Sequence, residues 1–347
     1  MSLYDRVSDL ALEIESYELE PLEVVVSPEF TRKTTVIRLH GAGHEGVGED
    51  VTYSPPDQEA LQQEGPNLPL MGSHTFDAFS QLLDRLGLWP SGPGLEQFRP
   101  YRVWAYESAA LDLALRQAGT SFHEALGREP SPLTFVSSMR LGEPASIQPL
   151  EHWLDLYPAL RFKLDPTSSW DDAVVSALVD KNVVDTLDLK GAYEGTPVDQ
   201  DADATLYARV AVAFPEAWIE DPKLTAETDP VLEPHRARIT WDAPIHSVAD
   251  IQALPFPPRT LNFKPSRFGS VRALFEAYEY CFEEGIGIYG GGQFELGPGR
   301  GQIQYLASVF HPDAPNDVAP AAYNAEPKPG LPTSPLTPQP DSGFRWG

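Results

Sequence analysis

Short apolar segments alternate with helical segments from residue 131 onward, and this alternation restricts the fold more than any other feature of the sequence. Short strands that alternate with helices of about 10–15 residues are typical of parallel β/α units. The apolar segments are Leu133–Val136, Leu160–Leu164, Val183–Leu189, Ala217–Ile219, Arg238–Trp241, Thr260–Phe263 and Ile286–Tyr289. The sequence therefore predicts an α/β protein whose strands are parallel.

Five of these segments carry a charged residue at or just past their end. In chain order these residues are Lys163, Asp188, Glu220, Asp242 and Lys264, at intervals of 25, 32, 22 and 22 residues. Each interval is about the length of one β/α unit, and the carboxyl ends of barrel strands face one mouth, where active sites are built. One charged residue at an exposed strand end means little, but five in register predict side chains that converge.

The order of these charges suggests a chemistry. Three carboxylates make a hard oxygen site that suits Mg²⁺, an ion that keeps open positions for substrate oxygens. A proton α to a carboxylate is only weakly acidic, but a metal that binds the carboxylate stabilises the enediolate, and a lysine can then take the proton. Neighbouring lysine and Mg²⁺ charges would lower the pKa of such a lysine.

The residues around these positions resemble the enolase superfamily, specifically its muconate-lactonizing-enzyme subgroup. The matching segments are LDLKGA at 187–192, IEDP at 219–222, WD at 241–242 and KPS at 264–266. Nearer the N-terminus, residues 34–53 resemble the hairpin of the family's capping domain and end in its Gly-x-Gly-Glu pattern at 46–49. Residues 106–127 are similar to the helix that leads into the family's barrel.

The resemblance covers most of the chain and implies a modified TIM (β/α) barrel with an α+β N-terminal capping domain. The capping domain would occupy residues 1–130 and the barrel, with the active site, residues 131–320. Residues 321–347 contain six prolines in 27 residues and are predicted to form a Pro-rich, extended C-terminal tail.

The resemblance also implies a metal-dependent lyase or isomerase. Asp188, Glu220 and Asp242 would bind Mg²⁺, while Lys163 and Lys264 would act as general base and general acid on the α-carbon of a small-molecule carboxylate. Three reactions share the enediolate: elimination of water of the o-succinylbenzoate synthase type, cycloisomerisation, and racemisation or epimerisation. The barrel residues do not separate them, and we favour the elimination.

Two positions depart from the family's pattern. The second strand usually carries Lys-x-Lys, but here it reads Arg161-Phe162-Lys163. Arg161 cannot act as a base, so we assign that role to Lys163 and expect the charge of Arg161 to lower its pKa. Lys190 stands two residues after the first metal ligand, where the family usually has Asn. It would either bind an anionic substrate or weaken the Mg²⁺ site.

A glycine-rich segment, GGGQFELGPGRG at 290–301, follows the seventh predicted strand. The family has a serine-rich segment with a glutamate there, and Glu295 resembles that glutamate. Gln293, Glu295 and Arg300 are therefore candidate substrate-binding residues, together with Arg161 and Lys190. Arg300 begins a predicted helix whose N-terminal amides favour anions. A loop that needs its glycines only for turning is an equally good interpretation.

Other patterns are better explained by structure than by chemistry. Residues 41–46 match the GxGxxG dinucleotide fingerprint, but no helix follows, so we predict a hairpin turn. His40 and His44 have the spacing of a helical zinc pair, yet the glycines between them disfavour a helix. Cys281 falls on the apolar face of a predicted helix, and polar residues 54–74 predict a flexible loop or lid.

The amino-acid composition of the chain limits the molecules that it can bind. The chain has 51 acidic and 25 basic residues, a net charge of −26, and so repels nucleic acid. It has neither an apolar run long enough for a membrane helix nor a recognisable signal peptide. We expect a cytoplasmic enzyme with no nucleic-acid or membrane partner and leave a homo-oligomer open. The alternative class is a catalytically degenerate relative that acts as a scaffold or binding protein, with Lys190 and the changed second-strand motif as its support.

Overall fold

An antiparallel cap is followed by a parallel barrel in the computed structural model of the protein, which describes residues 1–193, 195–196 and 198–346. The cap contains strands β1 (Ala11–Ile14), β2 (Ser16–Ser27), β3 (Phe30–Gly41), β4 (His44–Asp50) and β5 (Gly72–Thr75), and helices α1 (Pro55–Glu64), α2 (Phe76–Arg85), α3 (Arg99–Gln117) and α4 (Phe122–Leu126).

Two tight features organise the cap sheet, whose strand order is β2-β3-β4. Ala42 and Gly43 form the β3–β4 turn with positive φ angles of 49° and 77°, so the predicted hairpin turn is correct. Helix α3 then packs directly on β4. A Cβ added at Gly48 would lie 2.1 Å from the carbonyl oxygen of Ala105, which explains the glycine at this position.

The prediction of a flexible loop at residues 54–74 is wrong. The segment contains helix α1, which begins where Ser54 Oγ accepts a hydrogen bond from the Asp57 amide at 3.3 Å and where Pro55 occupies the first helical position. Leu61 and Gln58 are buried against the cap sheet. The segment then enters β5, which pairs with β1.

The barrel begins after α4. Its strands are β6 (Ser137–Met139), β7 (Phe162–Leu164), β8 (Val184–Asp188), β9 (Trp218–Glu220), β10 (Ile239–Thr240), β11 (Thr260–Phe263) and β12 (Gly287–Gly290). Its helices are α5 (Gln148–Leu156), α6 (Asp172–Lys181), α7 (Ala204–Ala213), α8 (Asp229–Leu232), α9 (Val248–Gln252), α10 (Pro265–Phe268), α11 (Val271–Glu284) and α12 (Pro298–Phe310). Strands β6 to β10 pair in chain order, and all of these pairs are parallel.

Three backbone hydrogen bonds close the ring. The Asn262 amide donates to Trp241 O at 3.0 Å between β10 and β11. The Asp317 amide donates to Gly290 O at 2.8 Å, and the Val136 amide donates to the carbonyl oxygen of Asn316 at 2.8 Å. The segment Asn316–Asp317 thus takes the eighth position, between β12 and the chain that leads into β6. The predicted fold class is confirmed.

The chain beyond α12 packs along the molecule. Leu336 and Leu133 exchange backbone hydrogen bonds, and Phe344 is fully buried with its ring centroid 4.6 Å from that of Phe122. Cys281 is also fully buried, as its position on an apolar helix face predicted. No helix in the described part of the chain is long and apolar enough to cross a membrane.

Candidate active site

The five charged residues singled out in the sequence lie together at the carboxyl ends of the barrel strands. Lys163 is in β7, Asp188 and Glu220 are the last residues of β8 and β9, Asp242 lies two residues past β10, and Lys264 directly follows β11. The five are buried, with at most 6% of any of them exposed. Parallel pairing sets Asp188 directly beside Glu220, which explains their proximity.

The three carboxylates form a compact acidic triad, a name used below for Asp188, Glu220 and Asp242. One oxygen from each lies within 4.8 Å of the others. The Lys163 ammonium lies 3.0 Å from Asp188 Oδ2 and also donates to Glu220 Oε1. The Lys264 ammonium lies 2.7 Å from Asp242 Oδ2. Because β7 and β11 are four positions apart in an eight-membered ring, the two lysines approach the triad from opposite sides.

The donor set of the acidic triad fits a hard divalent cation. Its atoms are carboxylate oxygens, which Mg²⁺ prefers. Asp242 Oδ1 is buried and, among the residues that the structure describes, accepts no hydrogen bond of good geometry, although Arg267 Nε lies 3.2 Å away. Asn262 Nδ2 donates to Glu220 Oε2 at 3.1 Å and thereby orients that carboxylate.

Buried charges shift the pKa values of this site in opposite directions. Burial alone would lower the pKa of Lys163, but the carboxylates of Asp188, Glu220 and Asp317 outweigh burial and raise it well above its usual value. Burial would likewise raise the pKa of Asp242, but the Arg267 and Lys264 cations hold it below its usual range. Without the charge of a metal ion, the surrounding side chains raise the pKa of Lys163, whereas we expected it to be lowered.

Arg161 does not join the other predicted residues. Its Nε donates to Asp185 Oδ1 at 2.7 Å and its Nη1 donates to the Asn182 carbonyl at 3.1 Å, with 42% of the side chain exposed. Asp185 lies near the start of β8, three residues before the triad member Asp188. Arg161 consequently points toward the amino ends of the strands, so the expectation that it lowers the pKa of Lys163 is wrong.

Lys190 does join the site. Its backbone takes a left-handed conformation with a φ of 54°, and its amide donates to Asp188 Oδ1 at 3.1 Å. Its ammonium donates to the other oxygen of the same carboxylate, Asp188 Oδ2, and lies 3.7 Å from Asp165 Oδ1. Of the two predicted roles of Lys190, this contact favours an effect on the predicted metal ligand Asp188.

The glycine-rich segment contacts the site through Gly291, whereas its charged residues pair with each other. A Cβ at Gly291 would lie 2.8 Å from Lys264 Cε, so this glycine lets the lysine stem lie against the backbone. Glu295 and Arg300 pair with each other at 2.9 Å, and Gln293 Nε2 donates to the Tyr101 hydroxyl at 3.0 Å.

The predicted anion at the N-terminus of the last helix comes from the cap itself. One carboxylate, that of the fully buried Glu49 in β4, accepts hydrogen bonds from the amides of Leu296, Gly297 and Gly299 at 2.7–3.1 Å. These are the amides at the start of α12, where an anion is stabilised by the helix dipole. This helix end therefore binds a carboxylate of the chain.

Several functional side chains were missed by the sequence analysis. Arg267 lies 3.2 Å from Asp242 Oδ1, and the Tyr193 hydroxyl donates to Asp242 Oδ2 at 2.7 Å. The carboxylate of Asp221 accepts the amide of Asp242 at 2.9 Å, and the Tyr289 hydroxyl donates to Glu220. Asn262 alone had a readable signal, because it stands two residues before Lys264 and so on the same face of β11.

The cap and the closed barrel together have the same fold as solved structures of the enolase superfamily. Solved structures with this fold include a dipeptide epimerase from Enterococcus faecalis V583 (TM-score 0.68, 14% identity, 96% of this chain and 99% of that one). They also include muconate lactonizing enzyme from Pseudomonas putida (0.64, 18%, 96% and 96%) and an unknown member of the enolase superfamily from E. faecalis V583 (0.66, 20%, 89% and 86%).

The chain belongs to the family described as Domain of unknown function (DUF8230). The N-terminal domain of that family matches residues 5–125, and its C-terminal domain matches residues 129–325. No curated protein matches the chain.

Proposed function

We propose that this protein is a Mg²⁺-dependent enzyme that removes the proton α to the carboxylate of a small molecule. The observation that carries the proposal is the convergence of three buried carboxylates between two lysines that approach from opposite sides. Structures that share the fold are named as a muconate lactonizing enzyme and a dipeptide epimerase, which supports a lyase or isomerase here.

Asp188, Glu220 and Asp242 would hold the ion. When bound there, Mg²⁺ supplies positive charge that offsets the three carboxylates and stabilises the negative charge that forms on the substrate. Asn262 and Tyr289 keep Glu220 oriented, and the amide contacts of Asp221 fix the strand end that carries Asp242.

The lysines handle the proton at the α-carbon. Proton transfer needs heavy atoms within about 3 Å or a bridging water, so each lysine serves only the face of the substrate that it reaches. Lys163 is assigned as base and Lys264 as acid. Lys163 must be neutral to accept the proton, and two of the carboxylates that raise its pKa, Asp188 and Glu220, are ones that the metal would neutralise.

Elimination, cycloisomerisation and racemisation share this first step, and the lysines separate them. We compare the wild type with Lys163→Ala, Lys264→Ala and a control, Lys181→Ala. Lys181 is the last residue of α6 and pairs with Glu151 of α5, away from the carboxyl ends of the strands. Proton NMR in deuterated buffer follows α-proton exchange across a panel of small carboxylates with Mg²⁺. In a racemase, each site variant still exchanges one enantiomer. In a lyase or cycloisomerase, only loss of the base abolishes exchange, and the partner variant turns over slowly.

Full activity in both lysine variants would refute this mechanism. The metal assignment is tested separately by calorimetric Mg²⁺ titration of Asp188→Asn, Glu220→Gln and Asp242→Asn. Each variant lacks one anionic ligand and should bind Mg²⁺ more weakly. Unchanged affinity in all three contradicts the site.

A second candidate, a scaffold without activity, is supported by one observation. Two acids of the triad are paired with additional protein cations, Asp188 with Lys190 and Asp242 with Arg267. If these ion pairs are only structural, the wild type will neither bind Mg²⁺ nor exchange an α-proton. A cytoplasmic location, the lack of a nucleic-acid partner and a homo-oligomer stay predictions from the sequence.

A further inference from the structure

We propose that Lys190 sets the affinity of the acidic triad for its divalent cation, because its ammonium competes with the ion for Asp188 and moves to Asp165 when the ion binds. The inference rests on the proposed function of the triad as a Mg²⁺ site. It adds a built-in counter-ion that makes this site weaker than its three carboxylates alone would be.

Lys190 engages both oxygens of Asp188. Its amide donates to Oδ1 at 3.1 Å, and its ammonium donates to Oδ2. The left-handed backbone at Lys190 and the amide contact place the start of its side chain beside this carboxylate. In the observed position its ammonium lies at the triad, where it repels a second cation.

Asp188 Oδ2 carries a second ammonium, that of Lys163 at 3.0 Å. A divalent ion on this oxygen would place three cations around one atom, so one of them must withdraw. Lys163 is held within β7, is 1% exposed and also donates to Glu220. Lys190 stands in the loop after β8 with 12% of its side chain exposed, so it is the cation that can leave.

A second carboxylate, that of Asp165, lies close enough to accept the ammonium of Lys190. Asp165 Oδ1 lies 3.7 Å from Lys190 Nζ, is buried, and accepts no hydrogen bond in the described part of the chain. Its other oxygen already accepts Arg140 Nε at 2.9 Å. A buried carboxylate oxygen without a donor is unfavourable, and a small rotation of Lys190 would satisfy it.

The experiment is a calorimetric Mg²⁺ titration of Lys190→Gln and Lys190→Arg beside the wild type. Lys181→Gln is the matched control, because it removes one positive charge from an exposed ion pair between α6 and α5 and so measures the effect of net charge alone. We expect Lys190→Gln to bind Mg²⁺ at least about tenfold more tightly than the wild type. Lys190→Arg keeps the charge and should bind like the wild type.

A double-mutant cycle tests the move to Asp165. Asp165→Asn should weaken Mg²⁺ binding in the wild type, because the displaced ammonium loses the negative charge that would receive it. The same change should have much less effect in the Lys190→Gln background, where no ammonium is displaced. Equal effects in both backgrounds would mean that Asp165 acts only through its charge, and would overturn the movement.

Two results separate this inference from the proposed function. Mg²⁺ binding that requires Asp188 but is equal in Lys190→Gln and Lys181→Gln would overturn the inference and leave the proposed function standing. No Mg²⁺ binding by the wild type or by Lys190→Gln would overturn both. Tight binding by Lys190→Gln alone would support the inference in its strongest form.

Discussion

At the scale of single residues, His311 shows how a buried group outside the site holds the barrel closed. Its Nδ1 lies 2.7 Å from Asn316 Oδ1, and its Nε2 lies 3.0 Å from the Tyr278 hydroxyl. A carboxamide oxygen can only accept, so Nδ1 carries the proton and Nε2 accepts from Tyr278. Asn316 is one of the two residues that complete the ring of strands. Burial lowers the pKa of His311 to about 4, and only the neutral imidazole lets Nε2 accept from Tyr278.

We predict that His311 makes the protein less stable in acid. Its pKa is 6.5 in the absence of structure and about 4 in the fold, so between these values the unfolded chain binds a proton that the folded chain does not. Its contribution to the free energy of unfolding is complete above pH 6.5 and falls by about 3 kcal/mol as the pH drops to 4.

Urea unfolding of the wild type and of His311→Gln between pH 7 and pH 4 measures this effect. The Gln variant keeps a donor and an acceptor but does not titrate, so its stability should fall less steeply across this range. Parallel curves for the two proteins would contradict the prediction.

At the scale of elements, two cap strands hold the glycine-rich segment through hydrogen bonds to its backbone. The fully buried Arg32 of β3 donates to the carbonyl oxygens of Gln293 and Phe294 at 2.8 and 3.2 Å. Glu49 of β4 accepts from the amides that follow. The backbone that carries Gly291, against which Lys264 lies, is therefore positioned by the cap.

We expect Glu49→Gln to loosen this contact. The carboxamide keeps the size of the side chain but loses the charge at the start of α12, and its NH₂ group cannot accept. The variant should lose about 1–3 kcal/mol of stability in urea unfolding. Glu18→Gln, on an exposed position of β2, is the control and should be unchanged. Equal stability of the two variants would show that the Glu49 charge does not hold the helix.

Elements were predictable from the sequence where local pattern and tertiary structure agree. The barrel strands lie on or beside the predicted apolar segments, because a strand buried on both faces must be apolar. Helix α1 was missed because its residues are mostly polar, although Ser54 and Pro55 carried a helix start signal.

The five charged residues of the site were found because the carboxyl ends of parallel strands converge by topology. Tyr193 and Arg267 come from loops and short helices, whose paths no local pattern specifies.

At the scale of the whole molecule, the C-terminal segment ties the barrel to the cap. Phe344 contacts Phe122, Trp104 and Tyr305, with centroid distances of 4.6, 6.3 and 6.1 Å. The buried Asp112 of α3 accepts the Phe344 amide at 2.8 Å and also accepts from the Arg345 guanidinium at 2.8 Å. The predicted tail thus includes residues that complete the core.

We predict that Phe344→Ala destabilises the whole protein. Removal of a fully buried aromatic ring leaves a cavity where cap and barrel meet and costs about 3–5 kcal/mol. Val25→Ala, at a position 73% exposed on the cap hairpin, should change stability by less than about 0.5 kcal/mol. Thermal unfolding of both variants tests the prediction, and a Phe344→Ala protein with the melting temperature of the control would refute it.

The late position of residues 316–317 and 344 along the chain has a consequence for biosynthesis. Helix α4 contains Phe122, whose ring contacts that of Phe344. The helix leaves the ribosome more than 200 residues before Phe344 does. At roughly 5–20 residues per second, the nascent cap waits on the order of ten to forty seconds with that face uncovered. Asp317, whose carboxylate lies 3.8 Å from Lys163 Nζ, arrives in the same final interval. A translation product that stops before residue 316 would lack both this carboxylate and the segment that closes the ring, so its barrel would remain open.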